Sequence, residues 1–532
     1  MPNRLSIQRG ALCGAAVLLA WSVATSAGAG ALGGQAGPAA PNPGEQIFST
    51  TCAGCHGTDL AGGRGPSLFN NALLTTLGDD RIRTIIQNGV SGSEMPAFKD
   101  SLNDAQIASV VAYLHTRAGQ LKPVAGGYNL SAPYVPKVDG QRVHSEHQDF
   151  RIEVVARDLG TPWGMAFLPD GRLLVTERSP ARLRILDTSG KLLPPVEGLP
   201  TVHQQQDAGL LDVAISPDFA RDGWIYIAYS DDDPSLPEPP PSPPGTPGFL
   251  VKRKPSMTVI ARGKIDATNH WVQQQDLFRQ PFASYTTSGA HYGSRLLFDG
   301  KGHLFFSLGE RGDMKNAQDL SSPLGKIHRV NLDGSIPADN PFIGRPGAFP
   351  SIWSYGHRNP EGLAFDPATG LLWESEHGPN GGDEINVIEK GHNYGWGVIS
   401  MGAQPGITKT AAPGMEQPVA WFYPTIAPSG IGFYEGDRYP AWKGSLFVSA
   451  LRGQQLRRLT VKGRKVVAQE VVFEQLGRVR DVVTGPDGLL YLIITNPTGP
   501  GTGIDLTDPV PGEVVRLVPI TWDSPQQPPR PK

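Results

Sequence analysis

Two of the three cysteines in this 532-residue chain stand in Cys52-Ala53-Gly54-Cys55-His56. Thiol, thiol and imidazole at that spacing read as a covalent attachment site for a c-type haem. Cys52 and Cys55 would hold the porphyrin through thioethers, and His56, next to the second thiol, would reach the iron as one axial ligand. A redox-active thiol pair fits less well, because an imidazole follows directly and no βαβ pattern surrounds the motif. The opposite axial position calls for a soft or imidazole donor. Met95 in Gly92-Ser93-Glu94-Met95-Pro96-Ala97-Phe98 is the candidate, since the proline after it favours an extended loop over a packed helix. Such a haem moves electrons singly, so the rest of the chain is expected to deliver or receive them.

Three further groups could do chemistry. His291, in Gly289-Ala290-His291-Tyr292-Gly293-Ser294-Arg295, precedes a β-prone run; it reads either as a general base working near neutral pH or as a surface histidine. Arg358, Arg452, Arg478 and Arg480 form a cationic set. The last two, two residues apart on an extended segment, would point the same way and could grip a multiply anionic ligand, or they could line a solvated strand face. The run from Glu376 to Asn386 is rich in hard oxygen donors and turn residues. It reads as a calcium loop without EF-hand spacing, or as an acidic turn.

The elements that must position these groups differ along the chain. Arg4 and Arg9 precede an apolar run from Ala11 to Val23 and then small residues up to Ala29, which is the pattern of an export signal over residues 1–29. Cys13 would be lost with it, leaving no spare thiol, and no later apolar run is long enough to span a bilayer. Residues 30–43 are a Gly/Ala/Pro-rich lead-in. Residues 44–118 suit a small all-α domain: Glu45 to Thr51 can form a helix into the haem motif, and Asn103 caps a second with Ile107, Val110, Val111 and Leu114 on one face. Residues 119–149 read as a linker, and 521–532 as a flexible tail.

Residues 150–520 change to turn-plus-strand phrases: Pro169-Asp170-Gly171 into Leu173-Leu174-Val175, Asp222-Gly223 into Ile225-Tyr226-Ile227, then runs at Leu304, Leu371, Leu446 and Leu489. Six such units predict a six-bladed β-propeller, in which each blade needs its neighbours to bury its faces. A proline-dense stretch, residues 234–247, cannot be a blade strand and is expected to be an inserted surface loop. With 47 basic against 50 acidic residues and a formal charge of -3, neither a nucleic-acid surface nor a polybasic membrane patch is indicated.

Residues 44–118 resemble a class I cytochrome c domain. From about Leu159 to Val518 the chain resembles the soluble pyrroloquinoline quinone (PQQ)-dependent glucose, aldose and sorbosone dehydrogenases. The resemblance rests on Gly209-Leu210-Leu211-Asp212-Val213, the phrase around His291, Gly325-Lys326-Ile327-His328-Arg329 and Gly356-His357-Arg358-Asn359-Pro360-Glu361-Gly362, with Gly391-His392-Asn393-Tyr394-Gly395-Trp396, Tyr423-Pro424-Thr425 and Arg478-Val479-Arg480-Asp481 further on. It implies that His291 is the base removing the proton of the anomeric hydroxyl while hydride passes to PQQ, and that Arg358 stabilises the charge growing on the quinone oxygen. Asn359, Thr425, Arg452, Arg478 and Arg480 would contact PQQ. Gly378 and Pro379 would offer carbonyls to Ca2+, which then acts as a Lewis acid.

Asp207 stands where the glucose-oxidising branch has Gln, and Tyr423 where it has a substrate-facing Trp; both are expected near the sugar. Ala290 stands where that branch has Asp before the base, which leaves the group orienting His291 open. The expectation is a periplasmic aldose dehydrogenase that makes lactones and passes electrons through haem c to a periplasmic cytochrome, quinone pool or oxidase. A calcium-dependent propeller lactonase would explain the metal but neither the haem nor the arginines. A non-catalytic sugar-binding propeller carrying a cytochrome is the third reading.

Overall fold

The computed structural model describes residues 42–56, 68, 79–89, 95–120, 138–240, 252–379, 382–402, 404, 406–422, 425–474, 476–496 and 511–520. The export signal, most of the lead-in and linker, the tail, the side chain of Cys55, and Tyr423 lie outside them.

The N-terminal part is helical. Pro43–Ile47 opens with the Asn42 side chain accepting from the Gly44 amide at 2.9 Å and with proline in the first turn, both favoured helix starts. The chain then passes through a π-helical turn, Phe48–Cys52, into Ala53–His56. A third helix, Asp104–Gln120, starts with a reciprocal box: the Gln106 amide donates to Asn103 Oδ1 and the Asn103 amide to Gln106 Oε1, each at 2.9 Å. Ile107, Val110, Val111 and Leu114 are all buried, as their spacing predicts. Gly44 lets the first helix approach this one closely, because a Cβ there would lie 2.1 Å from the Ser109 carbonyl oxygen. A further helix, Asp79–Asn88, lies between the two named from the sequence. Its Ile82 and Ile86 are one turn apart and close the same core as Phe48, Phe98 and Val110.

The remainder is a six-bladed β-propeller. The innermost strands are Pro162–Phe167, Leu210–Ile215, Leu296–Phe298, Pro360–Phe365, Pro428–Phe433 and Arg478–Thr484. Each packs on the next and the last on the first, so the ring is closed. Every repeated turn-plus-strand phrase is the second strand of a blade, paired antiparallel with the inner one. Blades two to five have four strands; the first has three. Its outer segment still donates from Leu193 to Ile185 and from Val196 to Leu183, but Pro194 and Pro195 between them cannot donate and break the ladder.

The last blade is completed from the other end of the domain. Asp149–Gly160 pairs with the C-terminal strand Pro511–Pro519, and Arg142–His144 adds a fifth strand outside it. Phe150 and Ile152 of the closing strand are wholly buried beside Trp442 and Leu517, and burying such side chains stabilises by about 1.5–3 kcal/mol each. The proline-dense stretch extends the turn between Ile225–Asp232 and Ser256–Ile265, and its described part is mostly exposed. No helix among the described residues is long and apolar enough to cross a membrane.

Candidate active site

The propeller topology explains why widely separated residues meet. All six inner strands start at one mouth of the ring, and all six second strands, being antiparallel to them, end there. Asp207, His291, Arg358, Asn359, Thr425 and Arg478 each precede or open an inner strand. Gly378, Pro379 and Arg452 each follow a second strand. The predicted site residues of the propeller are therefore brought to one face, apart from Tyr423.

His291 and Arg358 are linked by a residue that sequence reasoning missed. The carboxylate of Glu310 forms a short hydrogen bond with His291 Nδ1, and the Glu310 amide donates to the Arg358 carbonyl at 2.9 Å. Glu310 follows the second strand of the third blade, His303–Leu308, so its place was deducible only from blade pairing. It answers what orients the imidazole: a carboxylate reaching across from the neighbouring strand end rather than the residue preceding the histidine. Both side chains are 3% exposed. Gly309 permits this approach, since a Cβ there would come within 2.2 Å of the His291 carbonyl oxygen.

Asn359 and Arg480 are joined below the mouth by Glu361, also unforeseen. Its carboxylate accepts from Arg480 at 2.6 Å, from Ser429 Oγ at 3.0 Å and from Asn359 Nδ2 at 3.0 Å. Burial pushes this carboxyl up, but His377, Arg480 and the two neutral donors hold it below the usual carboxylate range. Asn359 Oδ1 also accepts the Gly293 amide at 3.0 Å, which ties it to the His291 loop.

Around this carboxylate the mouth is cationic. Burial, then the charge of Arg480, pushes Arg478 down to about 9. Burial pushes Arg178, which follows the second strand of the first blade, down to about 10 despite Asp207 nearby. Both stay charged at neutral pH, so the cluster suits a multiply anionic ligand. Arg452 adds to the crowding of Arg478, and Asp207 offsets it.

The run from Glu376 to Asn386 begins at the end of one strand, Leu372–Glu376, and finishes within its antiparallel partner, Asp383–Ile388. Asp383 is structural: it accepts the Gly378 amide at 2.8 Å, Thr425 Oγ1 at 2.6 Å and the amides of Ile426 and Ala427 at 2.6 and 2.8 Å. One carboxylate thus fixes both the Gly378 segment and Thr425. Arg358, Gly378, Pro379 and Trp396 line one cavity with Glu376 and Glu384. Glu374, Glu376 and Glu384 all lie within hydrogen-bond reach of the Asn386 amide nitrogen. Burial, then the charge of Glu376, pushes Glu374 and Glu384 well above the normal carboxylate range. Glu374 Oε1 and Asn386 Oδ1 are buried without a partner. Hard oxygen donors in such excess fit a divalent cation beside the Gly378 and Pro379 carbonyls.

For the haem, Cys52 and Met95 both border the apolar core of the helical segment, and His56 is 7% exposed. Phe98 and Lys99, just after Met95, donate to Ile86 and Gln87 at 3.0 and 3.1 Å. A cysteine thiol able to add to a porphyrin vinyl group, a buried imidazole and a methionine sulfur in this small helical segment fit a c-type haem.

Two family models match different parts of the chain. Residues 159–502 match the family model Glucose / Sorbosone dehydrogenase, and residues 39–114 match Cytochrome C oxidase, cbb3-type, subunit III. The aldose sugar dehydrogenase YliI of Escherichia coli (strain K12) is 39% identical over 359 residues, covering 65% of this chain and 91% of its own. Quinoprotein glucose dehydrogenase B of Acinetobacter calcoaceticus is 26% identical over 446 residues, covering 69% and 89%. Among solved structures, the PQQ-bound aldose sugar dehydrogenase of Streptomyces coelicolor shares 30% identity with a TM-score of 0.54, over 72% of this chain and all 100% of that one.

Proposed function

The chain belongs to the glucose/sorbosone dehydrogenase family, and from that premise we propose that it is an exported, periplasmic PQQ- and calcium-dependent aldose dehydrogenase that oxidises the C1 hydroxyl to a lactone and reduces its own haem c. The observation that carries this reading is Glu310, which joins His291 and Arg358 into one constellation at the cationic mouth.

The roles follow from the hydrogen bonds. With Nδ1–H directed at the Glu310 carboxylate, the lone pair of His291 lies on Nε2, where it can take the proton of the C1 hydroxyl; Glu310 then stabilises the imidazolium. Arg358, fixed through its amide to Glu376 Oε2 at 2.6 Å and through Nη1 to the His377 carbonyl at 3.1 Å, presents a preorganised cation to an oxygen that gains negative charge. Arg452, Arg478 and Arg480, with Asn359 and Thr425, would hold the carboxylates of PQQ, and Gly378 and Pro379 would ligate calcium. Asp207 and Tyr423 would meet the sugar. Cys52, Cys55, His56 and Met95 would hold the haem. When bound, these groups supply a quinone that accepts hydride, a Lewis acid, and a one-electron acceptor.

The test is to load the purified protein with PQQ and calcium, offer a panel of aldoses, and follow the haem α-band together with lactone formation. Both are expected with at least one aldose. A protein shown to hold PQQ and calcium that yields neither contradicts the proposal.

A further inference from the structure

His291 sits on an uncommon piece of backbone. Its φ is +58°, and Ser294 in the same loop has φ +84°. A left-handed conformation costs a residue with a Cβ roughly 1–2 kcal/mol, and it persists only where the surroundings over-determine it. Glu310 holds the ring of His291 but does not hold the backbone that carries it.

The residue after Glu310 does. Arg311 is 3% exposed. Its Nε donates to the Ala290 carbonyl at 2.9 Å and its Nη2 to the Ser288 carbonyl. Nη1 donates to the Ser256 carbonyl at 3.1 Å, on the neighbouring blade. The same plane lies 3.6 Å from the centre of the Tyr292 ring, whose hydroxyl is 2.7 Å from Ser256 Oγ. One cation therefore grips the residue before His291 by its carbonyl and the residue after it by its ring. Only a planar fork with donors on several sides can make these contacts together, and a lysine ammonium cannot.

We propose that Arg311 is a positioning residue for His291, holding the loop 288–292 so that His291 keeps the left-handed conformation from which Glu310 can orient its imidazole. This rests on the proposed function for His291 as base. Arg311 would act only through His291. Its loss should leave PQQ and sugar binding in place while displacing the base, and a displacement near 1 Å costs on the order of 10²-fold in rate.

The experiment uses the full-length protein with Arg311→Lys, which keeps charge and bulk, and Arg311→Gln. Two readouts are needed. In the PQQ- and calcium-loaded enzyme, kcat should fall about 100-fold, with KM for the sugar and Kd for PQQ within about twofold of the unmodified protein. In the PQQ-free protein, the downfield Nδ1–H resonance of His291, assigned by its loss in His291→Ala, should shift or vanish in both variants. An unchanged kcat, a loss carried by PQQ affinity instead, or an unmoved resonance in Arg311→Lys would each overturn the proposal. Should the unmodified protein oxidise no sugar, the proposed function falls, while the resonance still decides whether Arg311 positions His291.

Discussion

The helical segment and the propeller place their chemistry in opposite ways. The predicted haem-attachment residues and axial ligand His56 lie within the five residues Cys52–His56, on one helical stretch whose π turn and N-terminal cap are local, and only Met95 comes from elsewhere in the segment. The propeller gathers its polar groups from segments between Arg178 and Arg480, and His291, Glu310 and Arg358 are well separated in sequence. What brings them together is ring closure: six parallel inner strands with a common starting face, sealed by a strand from the beginning of the domain pairing with one from its end. A local site tolerates loosening elsewhere. A site assembled by closure does not.

The sharpest way to separate the two is Cys52→Ala. Combined with Cys55→Ala it should abolish covalent haem and all haem reduction by sugar, yet leave sugar oxidation with an artificial dye as acceptor near the unmodified rate. A parallel loss of dye-linked oxidation would show that the propeller needs the haem to function. Next in size is Phe150→Ala in the closing strand, which should cost about 3–5 kcal/mol, seen as a lower midpoint of propeller unfolding with the haem absorbance transition unmoved. Both transitions dropping together would contradict the independence of the two segments.

Smaller still is Glu310→Gln. It keeps shape but removes the carboxylate that holds His291 Nδ1, and kcat should fall about 10–100-fold with PQQ affinity retained. An unaltered kcat would detach Glu310 from the site. At the low end, Asn103→Ala removes one helix cap and should destabilise the helical segment by about 1 kcal/mol, read from the haem-monitored denaturation midpoint, without altering the propeller.

The same contrast decided what could be read from the sequence. The Asn103 cap and the apolar face through Leu114 are local patterns, and both were legible. The repeated turn-plus-strand phrases were legible too, because each blade repeats a second strand with the same burial demand. The helix Asp79–Asn88 was overlooked although Ile82 and Ile86 carried its period. Glu310 and Arg311 were invisible for a physical reason: Glu310 is placed by a hydrogen bond with His291, 19 residues away, and Arg311 by a contact with Ser256 in another blade. Glu361 is similar, adjacent to named residues in sequence but defined by an ion pair with Arg480 across 119 positions. Prolines 194 and 195 removed a strand that the blade count alone would have supplied.

The central claim is that one chain both oxidises a sugar at the His291–Glu310–Arg358 mouth and takes up the electrons at Cys52–His56. Stopped-flow mixing of the PQQ- and calcium-loaded protein with an active aldose tests it most directly. The account predicts haem reduction at a first-order rate that does not change with protein concentration, is lost by roughly 10²–10⁴-fold in His291→Ala, and leaves reduction by dithionite intact in that variant. A rate that rises in proportion to protein concentration, or an undiminished rate in His291→Ala, would contradict it.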